Sequence, residues 1–562
     1  MGIALIKFER LEDAAKAFLY AVSLDPKMSE AYCRLGGVLL GLGRLDEARA
    51  SLLEALSLQP DMFEAHSILA LVYLDLKEVD LALEQSRYAI DLQPDFATGW
   101  LNYGKALFSK GKAREACAAY GKAIEIDPLL FEAHHRQGDA LWRLGYLDAA
   151  LGAVPNSLSL GRSPWRLSMG RLISGRSSTY AMGAFFSLRS ACCMACCNNL
   201  LMISQYSSEY RIEDLLADHR AFSVQFEEPL RETWPSFRQE DFPRERLRIG
   251  FVSADLWSHP VGYFMESVLK NFNHEHFEVF IYHNSDTDDD LSERLRSHVS
   301  SWKSLLGLSD EKAAKQIMQD KVHVLIDLSG HTGGNRLGVF ARKAAPVQVT
   351  WLGYFSTTGL KAMDWILCDR HVMYESDRAY FAERPWFLPD CYLCFTPPLQ
   401  YVDIGPLPVL SKKYITFGCF NNILKVGDKV IALWSRVLNE IPNSQLLLKT
   451  NLLDDASLVK SVLSKFNSFG ICSDRLILEG GSPRLELLAS YNRVDIALDP
   501  FPFPGGTTTV EALWMGVPVL TLRGDRFLSR IGASILSLVS LQDWIVDNED
   551  EYVGRLIEHS GN

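Results

Sequence analysis

The residues best suited to chemistry lie in four short stretches, and the strongest is FPFPGGTTTVEALWMG. There Gly505 and Gly506 follow an apolar run ending at Pro500 and lead into Thr507, Thr508 and Thr509, which open a helix-like segment. Glycine lets backbone N–H groups approach anionic oxygens, and the unpaired N–H groups and positive dipole end of a helix start add donors. A plain helix cap is the competing reading of the same residues. GCFNNILKVGD supplies Lys425, a point charge able to reach the same anion, with Asn422 beside it to orient the ammonium. SADLWSHPVGYFM supplies Asp255 and His259, a carboxylate and an imidazole in one loop. DLSGHTGGNRLGVFARKAAPVQVTWLGYFSTTG supplies His331 and, in the glycine-bounded turn 353–359, Tyr354.

Each stretch must be held by a strand, and strand-length apolar runs precede all four. LRIGFVS, FEVFIYH, VHVLIDL, VQVTWLG and DWILCD alternate with helical stretches, which predicts an α/β lobe with largely parallel strands over 241–405. ITFGCFN, QLLLKT, LILEG, DIALDP and VPVLTL repeat the pattern over 406–562. Two Rossmann-like lobes follow, and open parallel sheets bind ligands outside the carboxyl ends of their strands, where these loops lie.

The first part of the chain has a different period. Pro26, Pro60, Pro94 and Pro128 stand 34 residues apart, as do Ala14, Ala48, Ala82, Ala116 and Ala150. Gly36, Ala70, Gly104 and Gly138 keep the same step, small residues where paired helices must approach closely. This predicts four tetratricopeptide hairpins over 1–150, an α-solenoid whose concave groove suits an extended protein segment, with a structural spacer as the competing reading. Between the halves, 151–240 reads as a linker, aperiodic and rich in Ser, Arg and Cys to about 205, with helical pattern returning from Tyr210 to Phe226.

Composition narrows the function further. The net charge of -12 over 562 residues argues against a nucleic-acid binder, which needs a basic face. No run reaches the roughly 20 apolar residues of a membrane span, and charges interrupt the start before a signal-peptide core forms, so a cytoplasmic protein without membrane partners is expected. Eleven scattered cysteines fit a reducing compartment. The pairs around Cys192 and Cys196, and Cys391 with Cys394, carry only a weak expectation of structural zinc.

Taken together, the repeats, SADLWSHPVGYFM, WLGYFSTTG, FGCFNNILK, DIALDPFPFPGGTTTVEALWMGVPVLTL and SRIGAS resemble the nucleocytoplasmic protein O-GlcNAc transferases, in particular bacterial members related to plant SPINDLY. The resemblance implies a GT-B fold that moves N-acetylglucosamine from UDP-GlcNAc to Ser or Thr of proteins, with inversion and with neither cofactor nor metal. It makes Lys425 with Thr507 and Thr508 a diphosphate clamp, Asn422, Gly505 and Gly506 parts of the donor site, and Glu511 the ribose contact. His259 becomes the histidine near the acceptor hydroxyl, with Asp255, His331 and Tyr354 around the acceptor or sugar. The acidic run Asp286 to Asp290 resembles the metal-holding DxD of some glycosyltransferases but is expected to be a solvated loop.

Departures from the family pattern keep other readings open. Leu487 stands where a base-contacting His is expected, which leaves an O-fucosyltransferase using GDP-fucose as the alternative. Pro504 replaces an expected Asn, and the chain stops at Asn562 before the family's usual terminal helices, which implies a truncated lobe. A catalytically inactive repeat scaffold and a non-hydrolysing epimerase are the rivals from other classes.

Overall fold

The computed structural model describes residues 10–128, 130–144, 150, 194–195, 197–208, 210–238, 240, 243 and 245–561. Contacts divide the chain into two compact units, 1–200 and 201–562.

In the first unit the 34-residue step becomes paired helices. They are α1 (Leu11–Leu24), α2 (Ser29–Gly41), α3 (Leu45–Leu58), α4 (Phe63–Asp75), α5 (Val79–Leu92), α6 (Ala97–Ser109), α7 (Ala113–Ile126) and α8 (Phe131–Arg143). Three complete hairpins, α2–α3, α4–α5 and α6–α7, are flanked by α1 and α8. The periodic alanines Ala14, Ala48, Ala82 and Ala116 have no exposed surface, because neighbouring helices close over them. At Gly104 an added Cβ would lie 2.4 Å from the Tyr120 ring, so glycine is required by packing.

A second regularity fills the position six residues after three of the four periodic prolines. His66 Nε2 lies 3.0 Å from the Pro60 carbonyl, Trp100 Nε1 donates to Pro94 at 2.8 Å, and His134 Nε2 lies 3.0 Å from Pro128. A carbonyl that proline leaves outside the helix ladder is thus satisfied by a ring nitrogen of the next helix.

The second unit holds two sheets of parallel strands. The first contains β1 (Leu247–Ser253), β2 (Phe277–His283), β3 (Ser301–Ser304), β4 (Val324–Asp327), β5 (Val347–Thr350), β6 (Trp365–Cys368) and β7 (Arg384–Phe387), in the order β3-β2-β1-β4-β5-β6-β7. The second contains β8 (Thr416–Cys419), β9 (Gln445–Lys449), β10 (Leu476–Glu479), β11 (Ile496–Leu498), β12 (Val519–Leu522) and β13 (Ile545–Val546), in the order β10-β9-β8-β11-β12-β13. Both orders reverse between the first and fourth strands, where ligands gather in open α/β sheets. The loops after β1, β4, β8 and β11 carry His259, His331, Lys425 and Gly505, so the topology brings the sequence motifs to the two reversal points.

Seven further helices matter to the site: α9 (Ile212–Phe226), α10 (Pro260–Lys270), α11 (Asp290–Arg296), α12 (Asp428–Glu440), α13 (Thr507–Trp514), α14 (Ile531–Leu538) and α15 (Glu549–Gly561). Residues 201–240, grouped with the linker from sequence, fall in the second unit. Just after α9, the buried Glu227 carboxylate accepts from the N–H groups of Lys361 at 2.9 Å and Ala362 at 2.6 Å. The two lobes share apolar packing, with Phe503, Phe527, Leu528, Ile531 and Ile535 of the second lobe inside a cluster that includes Phe251, Phe264, Trp351 and Tyr392 of the first. At the end of the chain α15 returns onto α12, where Trp434 Nε1 donates to Tyr552 OH at 3.2 Å. Among the described residues no helix is long and apolar enough to cross a membrane.

Candidate active site

The glycine loop after β11 is organised from below by a carboxylate that the sequence reading passed over. Asp499 is buried and accepts from Gly505 N at 3.0 Å and from Thr509 Oγ1 at 3.1 Å. Burial pushes its pKa up to about 6, against the pull of these donors and of Lys425. A Cβ on Gly505 would meet Thr509 Oγ1 at 2.4 Å and Thr508 Oγ1 at 2.5 Å, so the backbone can turn this tightly only with glycine. No side chain caps α13, and the buried Thr508 Oγ1 has no hydrogen-bond partner. The helix start therefore presents unspent donors, the arrangement that receives an anion.

Lys425 stands at this opening. Its Nζ donates to Pro504 O at 2.9 Å and to Asn421 Oδ1 at 3.1 Å, and lies 3.9 Å from the Phe503 ring centroid. Burial lowers its pKa to about 8, with Asp499 and Cys419 opposing the shift. The residue that orients it is Asn421 rather than Asn422, whose Oδ1 instead accepts from Leu424 N at 3.0 Å and caps the turn Ile423–Lys425. Pro504 contributes its carbonyl here, a role its side chain does not reveal.

One turn into α13, Glu511 is buried and ion-paired with Arg484 Nη1 at 2.7 Å. Burial raises the Glu511 pKa, and Arg484 opposes it. The same guanidinium lies 3.8 Å above the ring of Tyr263 on α10, joining the donor-side helix of one lobe to the His259 helix of the other.

His259 caps α10, with a third of its side chain exposed. Its Nδ1 lies 3.4 Å from Val261 N and 3.9 Å from Asp255 Oδ1. Burial lowers the imidazole pKa, with Asp255 opposing, and burial raises that of Asp255. A neutral imidazole with an available nitrogen can accept a proton from a hydroxyl placed before it.

His331 and Tyr354 are buried, with polar atoms engaged inside the protein. His331 Nε2 lies 2.9 Å from Thr358 O, and Tyr354 OH lies 2.9 Å from His219 Nε2 and accepts from Gln205 at 3.1 Å. The His331 ring packs against Tyr354 and against Phe222 of α9, whose approach the local sequence around His331 does not disclose. Beneath them Asp327, also pushed up to about 6 by burial, accepts from Ser329 N at 3.1 Å, Gly330 N at 2.9 Å and Thr350 Oγ1 at 3.0 Å.

The acidic run is engaged within the protein. Asp288 pairs with Arg296 at 2.8 Å, and Asp289 caps α11. Among the described residues no three His, Cys, Asp or Glu side chains gather as a metal site. Cys391 Sγ lies 3.6 Å from Ser534 Oγ, while Cys192, Cys193 and Cys196 are outside the described residues.

Comparison with known proteins gives the arrangement a context. The model of glycosyl transferase family 41 matches residues 210–396 and 407–561. Tetratricopeptide repeat models match 1–63, 33–97 and 104–145. The protein named probable UDP-N-acetylglucosamine–peptide N-acetylglucosaminyltransferase SPINDLY of Arabidopsis thaliana is 34% identical over 365 residues, 63% of this chain and 39% of that one. Its namesake in Petunia hybrida is 35% identical over 368 residues, again spanning 39% of the relative. The chain thus spans about two fifths of the length of these curated relatives. A solved mutant of the Thermobaculum terrenum O-GlcNAc transferase is 28% identical, with a TM-score of 0.66 over 95% of this chain and 90% of that one.

Proposed function

The chain belongs to glycosyl transferase family 41, and on that premise we propose that it transfers N-acetylglucosamine from UDP-GlcNAc to Ser or Thr hydroxyls of proteins. The observation that carries this reading is Lys425 Nζ, fixed 2.9 Å from Pro504 O at the mouth of an uncapped helix start. A nucleotide diphosphate is an anion that suits this lysine and helix start. As the bond from the anomeric carbon to the phosphate oxygen breaks, negative charge grows on the diphosphate, and Lys425, Thr508 and the helix start stabilise it. The acceptor oxygen forms its bond to the same carbon from the opposite face, through a transition state of oxocarbenium character. Its proton passes to the neutral imidazole of His259. Glu511, released from Arg484, is the group we assign to the ribose. The charge on the leaving group is met by the protein, so transfer proceeds without added divalent metal.

The repeats take the acceptor protein, in keeping with the general use of such arrays as protein-binding surfaces. The eight free cysteines of the described residues fit a reducing compartment, and we assign the protein to the cytoplasm.

Leu487 favours a second donor. It packs against the apolar cluster around Phe420 and Tyr491 and offers no hydrogen bond to a base, which weakens uracil recognition and keeps GDP-fucose as the alternative. Incubation with each donor and a cell lysate, read as nucleotide release and as mass added to acceptors, decides between them. Incorporation from UDP-GlcNAc supports the first reading, and incorporation from GDP-fucose alone replaces it. A folded protein that uses neither is a scaffold.

A further inference from the structure

The acidic run Asp286 to Asp290 is a chemistry-bearing motif that the proposed reaction leaves unused. Within it Asp289 is half-buried, while Asp286, Asp288 and Asp290 are exposed. Its two oxygens make different attachments. Oδ1 accepts from Leu291 N at 3.1 Å and Ser292 N at 3.0 Å, capping α11, whereas Oδ2 accepts from Ser258 N at 2.8 Å. Ser258 immediately precedes His259. Ser292 Oγ adds a bond to Leu256 O at 2.9 Å and reaches Asp289 Oδ1 at 3.2 Å. The loop carrying the imidazole is therefore tied at two points to the first turn of α11. Burial works to raise the Asp289 pKa, but the bonds from Ser258 and Ser292 hold it below the usual carboxylate range, so it stays an acceptor at neutral pH.

The polar holds on the imidazole are long, with Nδ1 contacts of 3.4 Å to Val261 N and 3.9 Å to Asp255, and its ring leans on Trp257 of the same loop at 5.4 Å between centroids. Its place is set by its backbone more than by its ring. We propose that Asp289 is a positioning residue for His259, clamping the Ser258 N–H to α11 and so fixing where the imidazole stands before the acceptor hydroxyl. The inference rests on the reading of His259 as the proton acceptor. Because Lys425 and the Gly505 loop belong to the other lobe, loss of the clamp slows transfer without weakening donor binding.

The test compares full-length variants for kcat of transfer, donor KM, binding of UDP and melting temperature. Asp289→Ala is expected to lower kcat by roughly 100-fold, the scale of a catalytic group misplaced by an ångström, with donor KM and UDP binding kept within about threefold. Asp289→Asn, which keeps one acceptor oxygen for two attachments, falls between the two. Ser292→Ala, which leaves the cap and removes the Leu256 bond, gives a smaller loss in a folded protein. In a His259→Ala background the further change Asp289→Ala should have no additional effect, because the clamp then has nothing to position. Asp288→Asn and Asp290→Asn should match the parent protein. Equal damage from those two, or rescue of Asp289→Ala by Mn2+, would mean a metal motif and overturn the proposal. So would a normal kcat for both Asp289→Ala and Ser292→Ala while His259→Ala is inactive. A fully active His259→Ala would instead remove the reading of His259 on which the proposal stands.

Discussion

The two lobes build the same device and put it to different use. In each, the fourth strand of the sheet leads to a buried aspartate, Asp327 or Asp499, that accepts from the backbone of a glycine loop and from a threonine hydroxyl. In each, burial pushes the carboxyl up to about 6. Above Asp327 the space is closed by His331, His219 and Tyr354, with His331 Nε2 beside the Thr358 carbonyl and His219 Nε2 beside Tyr354 OH, while the Ser329 hydroxyl of the loop has no partner. Above Asp499 stand Lys425 and Thr508, and the Thr508 hydroxyl has no partner. The shared fold explains the loop geometry, and the lobes differ in what stands over it: buried rings in the first, a lysine at an uncapped helix start in the second.

The comparison breaks most visibly at Lys425. Lys425→Ala should lower kcat by roughly 100- to 1000-fold, as removal of a preorganised donor to a developing anion does, with the melting temperature unchanged. A variant that keeps its activity would remove the diphosphate assignment. Next comes Gly505→Ala, whose methyl must displace Thr508 and Thr509 at a cost of about 1–3 kcal/mol; the loss should appear in donor affinity by calorimetry.

Asp499→Asn sharpens the contrast. It keeps an acceptor for Gly505 and removes the charge that holds the proton on Lys425. In the parent protein transfer should fall as pH rises through about 8, the Lys425 value. In the variant that fall should move to lower pH, and an unmoved pH–rate profile would separate Asp499 from Lys425. Asp327→Asn, its counterpart, should cost about 1–3 kcal/mol of stability by disturbing a buried hydrogen-bonded acceptor, yet leave donor binding alone.

The smallest effect is on stability against pH. His219 is lowered from 6.5 to about 4 by burial, so the unfolded chain binds the extra proton between those values and stability falls as pH drops from 6.5 towards 4. Asp327, raised from 3.8 to about 6, acts in the opposite sense, with its contribution present at low pH and lost as pH rises through 6. Urea titrations from pH 4 to 7.5 should therefore show a steeper acid loss in Asp327→Asn than in the parent.

Much of this was legible in the residues. The 34-residue step and the long apolar runs announced the helices and the central strands, because those periods are set by burial. β3, β7 and β13 were not, since SWKS, RPWF and a two-residue strand lack an apolar run and take their conformation from the neighbouring strand. Around the loop after β11, Lys425, Gly505 and Thr508 are conspicuous by residue type, and the structure places them together. Asn421 and Asn422 are indistinguishable by type, and the turn that follows β8 decides which reaches the lysine. His259 and His331 likewise both follow strands in polar loops; α9, distant in sequence, covers one and leaves the other open.

The apolar packing shared between the lobes bears on how substrates enter. Fully exposing Phe503, Phe527, Leu528, Ile531 and Ile535, at about 1.5–3 kcal/mol for each side chain, would cost on the order of 10 kcal/mol. A fully separated pair of lobes would then be populated in only about one molecule in ten million. Fluctuations of that rarity are no route for routine turnover, so under the proposed reading nucleotide exchange proceeds through rearrangement of side chains and loops while the lobes stay packed. The Arg484 bridge between Glu511 and Tyr263 is made of one flexible side chain, the kind of contact that can open and close at thermal cost.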